Sequence, residues 1–118
     1  MDWLTKSCKP CTKGTLPYTA EEVHRYVGAL VGWSDYEDHR VISTMFEMQS
    51  FADAVELVNK IAQIADNENH HPNIHITQYK MLQIDLSTHS IGGLSENDFI
   101  MAAKIDQIKP ANCQQLSR

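Results

Sequence analysis

The sequence predicts an α+β fold: a four-stranded antiparallel sheet with three helices packed on one face, in the order α-β-β-α-β-β-α. Three observations predict it. Three stretches repeat apolar residues at helical spacing behind a hydroxyl-bearing residue suited to a cap. Four shorter stretches, in two consecutive pairs, read as strands, and the later ones alternate apolar and polar residues. Only a few residues join the members of each pair, which favours antiparallel neighbours. One apolar face per strand calls for helices on one side of the sheet.

Residues 1–17 carry Pro10, Gly14 and Pro17 without clear periodicity and are expected to form an irregular arm. Residues 18–110 are expected to form a single domain, and 111–118 a C-terminal tail. Thr19-Ala20-Glu21-Glu22 is a capping-box pattern. Val23, Tyr26, Val27, Leu30 and Val31 follow at helical spacing, so the first helix is predicted over roughly 20–31, with Gly32 as its stop. Trp33 to Met48 reads as two short strands turning at Glu37-Asp38. In the second of these, Ile42, Thr44, Phe46 and Met48 form the more apolar face and should meet the core.

Ser50 can cap a second helix, with Asp53 in its first turn. Phe51, Ala54, Val55, Val58, Ile61, Ala62 and Ala65 make its predicted core stripe, ending near Glu68. A third strand follows Pro72, with Ile74 and Ile76 on one face and His75 and Thr77 on the other. The fourth runs from Tyr79 or Lys80 to Thr88, where Leu82, Ile84 and Leu86 alternate with polar residues. Ser95 caps the third helix, which presents Phe99, Ala102, Ala103, Ile105 and Ile108 and stops at Pro110.

The chemistry concentrates at the junction Asp66-Asn67-Glu68-Asn69-His70-His71-Pro72, where a helix pattern runs into a strand pattern. Two adjacent imidazoles sit beside a proline that cannot continue a helix, and a third, His89, closes the next strand. Histidine both gives and takes a proton near neutral pH, which suits general acid/base work on a small substrate. The competing reading is a metal site of three histidines and an acid. Adjacent histidines usually point apart, however, and no H-x-H or H-x-x-x-H spacing occurs at this junction. His24, His39 and His75 show no partner pattern and read as surface or core residues.

Bulk composition excludes several classes. The net charge is −5 over 118 residues, and the Lys and Arg residues are scattered. No direct nucleic-acid partner and no anionic membrane surface is therefore expected. No apolar run approaches the roughly 20 residues of a membrane span, and the first residues lack a secretory pattern. Three cysteines do not suggest a disulfide framework, and Cys8-x-x-Cys11 lacks the second ligand pair of a zinc site. Cys8, Cys11 and Cys113 are expected to be reduced thiols in loose tails, in a reducing compartment. The expected location is the cytoplasm, with the nucleus as a second compartment.

The spaced set Asp66-x-x-x-His70-His71-Pro72, then Tyr79, His89 and Asp98, resembles the signature of the pterin-4a-carbinolamine dehydratases. Gly32-Trp33, Phe46-x-x-x-x-Phe51-x-x-Ala54, Leu86-Ser87-Thr88-His89 and Gly93-Leu94-Ser95-x-x-Asp98 extend the resemblance over roughly residues 16–107. Two departures stand out. Six residues separate Pro72 from Tyr79 where many members have five, which suggests a β-bulge near Tyr79. Asp66 occupies a place where glutamate is common in animal members.

The resemblance implies dehydration of 4a-hydroxytetrahydropterin (4a-hydroxytetrahydrobiopterin) to quinonoid dihydropterin, recycling a tetrahydropterin cofactor, with no metal and no redox cofactor. It implies that His70 and His71 do acid/base work at the C4a hydroxyl and N5, and that His89 holds the pterin and shares in the proton transfer, so that all three histidines are catalytic. Asp66 would orient a histidine and Asp98 would support the site. Trp33 and Pro72 would contact the substrate, and Tyr79 would pack. A homodimer or homotetramer is expected. The rival function implied by the same family is that of a dimerisation cofactor for a transcription factor, carried by the second helix.

Overall fold

The computed structural model describes residues 2–12 and 14–117. Met1, Lys13 and Arg118, which the expected arm and tail include, lie outside the described residues. The elements are α1 (Ala20–Val27), β1 (Ser34–Tyr36), β2 (Val41–Glu47), α2 (Phe51–Glu68), β3 (Asn73–Thr77), β4 (Met81–Leu86), α3 (Glu96–Ile108) and β5 (Gln114–Leu116). Short 3-10 turns form at Trp3–Thr5 and His89–Ile91. The sheet is antiparallel throughout, in the order β1-β2-β4-β3, and β5 pairs with the second half of β2 on the side where β1 pairs with the first half.

The pleat of the strands divides the sheet into two unlike faces. Ile42, Thr44 and Phe46 of β2 and Leu82, Ile84 and Leu86 of β4 are fully buried on the helix side. They meet Ala54, Leu57, Ile61 and Ala65 of α2 and Phe99, Ala102 and Ile105 of α3. The opposite face carries Val41, Ser43, Gln83, Asp85, Asn73 and His75, and among the described residues no helix covers it. Even there Ser43 is buried, because its hydroxyl donates to Asp85 Oδ1 across the ladder at 2.6 Å.

The helix ends are closed by their own side chains. Thr19 and Ser95 form complete capping boxes with Glu22 and Asp98, and Ser50 Oγ accepts from the Asp53 N–H at 3.1 Å. Asn69, at φ 52°, takes the left-handed position that ends α2 and turns the chain toward β3.

Several sequence expectations are corrected. The N-terminal arm is not loose. Trp3 is 6% exposed, stacks on Phe99 at 5.4 Å and meets Tyr26 edge-on at 6.1 Å, so the arm supplies part of the core. The expected tail forms β5, whose Gln115 side chain donates to Thr44 Oγ1 and to Asp106 Oδ1, each at 3.0 Å. α1 ends at Val27, capped by Gly28, four residues short of the expected end. Gly32 instead serves a close approach: at φ +84° a Cβ would lie 2.7 Å from the Gln115 side chain. The stripe of α2 is rotated, with Leu57 buried while Phe51 is 55% and Val55 37% exposed. The β3–β4 ladder runs without a bulge from Asn73↔Asp85 to Thr77↔Met81. The extra residue near Tyr79 is absorbed in the turn, where Gln78 and Tyr79 both take positive φ.

The thiols are free, but Cys8 is not in a loose tail. Its N–H donates to Glu68 Oε1 at 2.7 Å, and Lys104 Nζ holds Glu68 Oε2 at 2.7 Å, so one carboxylate ties the arm to α2 and α3. Burial pushes the Glu68 carboxyl up, but the Lys104 ammonium and the Cys8 N–H outweigh it and hold the group below its usual value. Burial, reinforced by the Glu68 carboxylate, pushes the Cys8 thiol up to about 12. Only the thiolate alkylates. At pH 8 the native chain should therefore alkylate at Cys8 roughly 10²–10³-fold more slowly than the unfolded chain. Timed iodoacetamide labelling with peptide mass mapping checks this; equal rates would show that the arm does not bury the thiol.

Candidate active site

The turn from α2 into β3 sends its two histidines to opposite sides of the sheet. His71 joins His89 on the uncovered side, where both line a cavity of about 310 Å³ with Arg40, Val41, Asn73 and Asp85. His70 turns to the helix side, where Nε2 lies 2.7 Å from Asp98 Oδ1. The divergence follows from Asn69 and Pro72, which bracket the pair and set the chain direction on either side.

Asp98 organises both halves of this arrangement. It is fully buried at the third position of α3, and each oxygen has its own donors. Oδ1 faces His70, while Oδ2 accepts from Thr88 Oγ1 at 2.7 Å and from the Ser95 N–H at 3.0 Å. His70 precedes His71, and Thr88 precedes His89. One carboxylate, sitting at a helix N-terminus that favours negative charge, thus spaces the two cavity-lining imidazoles through their chain neighbours. The partner of His71 is different in kind. Asp66 Oδ1 lies 2.9 Å from His71 Nε2, but the two side chains are 77% and 57% exposed. So solvated a pair adds little to stability, and its consequence is the orientation of the ring.

The remaining walls come from the β1–β2 turn. Arg40 and Glu37 border the cavity, and Arg40 Nε donates to the Glu37 carbonyl at 2.8 Å. Ser87 Oγ donates to the Arg40 carbonyl at 2.8 Å and links this turn to the end of β4. In the sequence Glu37 and Asp38 mark only a turn, and nothing local brings Arg40 to the site, because no local signal marks residues that approach from another hairpin. A second cavity, of about 340 Å³, lies against His70 and is walled by Cys8, Lys9 and Pro10 of the N-terminal arm. Lys9 is fixed there by Asn97, whose side-chain amide donates to the Lys9 carbonyl at 2.6 Å and accepts from its N–H at 3.0 Å.

The structure does not bring every expected residue to the cavity. Trp33 is 4% exposed on the helix side, where its indole N–H donates to the Asp106 carboxylate at 3.0 and 3.1 Å. Burial raises the Asp106 carboxyl, against the opposing hydrogen bonds from Trp33 and Gln115. Pro72 is half-buried at the entry to β3 and lies outside the lining of the cavity that holds His71 and His89. Tyr79 is 61% exposed in the β3–β4 turn. The ring nitrogens of His70, His71 and His89 do not converge. Among the described residues the one group whose ligand atoms all lie within 4.8 Å of one another is His24, Asp35 and His39.

A one-sided α+β sheet that presents two imidazoles at one small cavity, with Asp66 beside His71, defines a protein with a site for a small molecule. The sequence model of the pterin 4 alpha carbinolamine dehydratase family matches residues 16–108. The chain belongs to this family, whose named activity is that of a hydro-lyase. Relatives carrying the family's name are 36% identical in Halorhodospira halophila, over 92% of this chain and 98% of the relative, and 40% identical in Nitrosospira multiformis, over 91% and 92%. A mitochondrial pterin-4-alpha-carbinolamine dehydratase of Arabidopsis thaliana is 33% identical over 92% of this chain and 59% of its own length. Among solved structures, a transcriptional coactivator/pterin dehydratase from Brucella melitensis aligns with a TM-score of 0.74 at 29% identity, covering 80% of this chain and 99% of that one.

Proposed function

We propose that this chain dehydrates 4a-hydroxytetrahydropterin to quinonoid dihydropterin, with His71 and His89 as the proton-moving groups and without a metal. The observation that carries the reading is that two imidazoles from two different loops share one cavity of about 310 Å³, a size suited to a small ligand. The reaction asks for two proton movements. The C4a hydroxyl takes a proton and leaves as water, and N5 gives one up. No electrons are exchanged with an external carrier, so a pair of groups able to give and take a proton suffices. Asp66 orients His71. Asp98, through His70 and Thr88, sets the distance between the two working rings. His70 is a positioning residue in this scheme, which modifies the expectation from sequence that His70 and His71 work as the acid/base pair.

A stopped-flow measurement of 4a-hydroxytetrahydropterin dehydration tests the proposal directly. Exhaustive treatment with a strong chelator is expected to leave the rate unchanged. Loss of turnover, restored by added zinc or iron, would replace the imidazole mechanism by a metal-dependent one.

A second reading rests on the exposed apolar surface of α2, where Phe51 and Val55 face outward. The Brucella melitensis neighbour is described as a coactivator as well as a dehydratase. A homodimer or homotetramer would use such a surface, or the open edge of β3, and so would a protein partner. Sedimentation of the parent and of Phe51→Glu distinguishes them: a change in mass assigns the face to self-association.

A further inference from the structure

We propose that His24, Asp35 and His39 form a binding site for one divalent transition-metal ion of the zinc class, separate from the candidate active site. The three residues come from three elements that the fold brings together: α1, β1 and the β1–β2 turn. Asp35 pairs with Ile42 in the ladder and so shares the helix side of the sheet, beneath α1. His39 Nδ1 is in direct hydrogen-bonding contact with Asp35 Oδ2, and His24 Nε2 lies 3.9 Å from the same oxygen. The two rings stand edge to face, with centroids 4.8 Å apart at 86°. All three ligand atoms fall within 4.8 Å of one another.

The geometry is close to what a tetrahedral ion needs. Bonds of about 2.0–2.2 Å place neighbouring ligand atoms about 3.3–3.5 Å apart. His39 must move out slightly from its contact with Asp35, and His24 must close by about half an ångström. His24 can do so, since its side chain is 65% exposed, whereas Asp35, at 19%, is the anchored member. The turn is shaped to present His39. Glu37, Asp38 and His39 take φ of 55°, 56° and 64° in succession, which no glycine relieves. Non-glycine residues in that region carry a conformational cost, and three in a row fold His39 back over Asp35. Two imidazoles and one carboxylate select zinc and its neighbours over calcium or magnesium, which prefer all-oxygen shells. Solvent completes the fourth position on the exposed side.

None of these ligands lines the cavity that holds His71 and His89. Metal at this clip would tie α1 to the β1–β2 turn and would raise stability without entering the proton chemistry. The test reads binding rather than turnover, so it is independent of the dehydratase reading. The untagged full chain carrying Cys8→Ser, Cys11→Ser and Cys113→Ser, which removes the competing thiols, is titrated with Zn²⁺ by calorimetry. One equivalent is expected to bind, with a rise in Tm that grows with free Zn²⁺. His24→Ala and, separately, His39→Ala should each weaken binding at least about tenfold, since even residues that only support a ligand cause such losses. His24→Ala replaces an exposed helix side chain, so its fold is checked by circular dichroism and should match the parent. His71→Ala and His89→Ala should bind Zn²⁺ as the parent does, and Ca²⁺ should show no saturable site. Absence of one-equivalent binding would overturn the proposal, and so would binding that survives the His24→Ala/His39→Ala double change.

Discussion

Replacing His71 or His89 by alanine is expected to slow 4a-hydroxytetrahydropterin dehydration about 10²-fold each, near the lower end of what a general acid or base contributes. The loss should fall short of abolition, because the two rings share one cavity and water can occupy either vacated place. The double change should be slower than either single one, though not by the product of the two factors, since groups that act as a unit are not additive. Stability should scarcely change in either case. His89 and His71 lie on the surface side of their turns and support no core contact. His70→Ala should behave differently. Its side chain is 12% exposed against a fully buried carboxylate, so its loss removes a partner of Asp98 and should lower stability by roughly 1–3 kcal/mol. Its effect on rate should be reached through displaced neighbours and should exceed that of His75→Ala. His75 is 53% exposed and lies 3.4 Å from Asp85, outside the cavity lining, and serves as the control. If His75→Ala slowed the reaction as much as His71→Ala at equal stability, the site would have to be redrawn along β3.

Trp3→Ala is expected to cost about 3–5 kcal/mol, the range for truncating a buried tryptophan. For a domain whose whole stability is of the order of 5–15 kcal/mol, that is a large share. The reason is local: Trp3 fills the space between α1 and α3, where Phe99, Tyr26 and Tyr18 form one aromatic cluster around it. Leu4→Ala, at a neighbouring side chain that is 48% exposed, should stay within about 0.5 kcal/mol. Denaturant titrations of both variants check the contrast, read as a shift of midpoint at constant slope. A Trp3→Ala midpoint equal to that of the parent would mean that the arm does not pack in solution.

The chelator experiment and the Zn²⁺ titration read separate sites. Stripping a metal from His24, Asp35 and His39 should lower Tm to that of the apo chain while the dehydration rate at lower temperature holds. Rate and Tm falling together would place a metal requirement in the proton chemistry.

Much of this architecture was legible in the sequence because local rules act over a few residues. The alternation in β4, the capping box at Thr19, the cap at Ser95 and the end of α2 near Glu68 each depend on neighbours within a turn or two, and each forms where the pattern places it. The spacing of Asp66, His70, His71, His89 and Asp98 likewise marked the family before any coordinates. What only the tertiary structure decided involves residues far apart in the chain. Trp3 and Cys8 carry no periodic signal, and their burial depends on the space that Phe99, Asn97 and Glu68 leave between helices. β5 is three residues long, too short to announce itself, and exists because β2 leaves half an edge unpaired. The α2 stripe is rotated because α3, rather than the sheet alone, chooses which face is covered. The sequence places His70 and His71 side by side, but each ring turns to its own carboxylate: buried Asp98 on α3 for His70, exposed Asp66 of α2 for His71. Arg40 reaches the cavity of His71 and His89 from a separate hairpin, and Asp98 links His70 to Thr88 although it stands 10 positions after Thr88 and 28 after His70 in the chain. Such convergence is fixed by packing, which spacing along one strand of sequence does not encode.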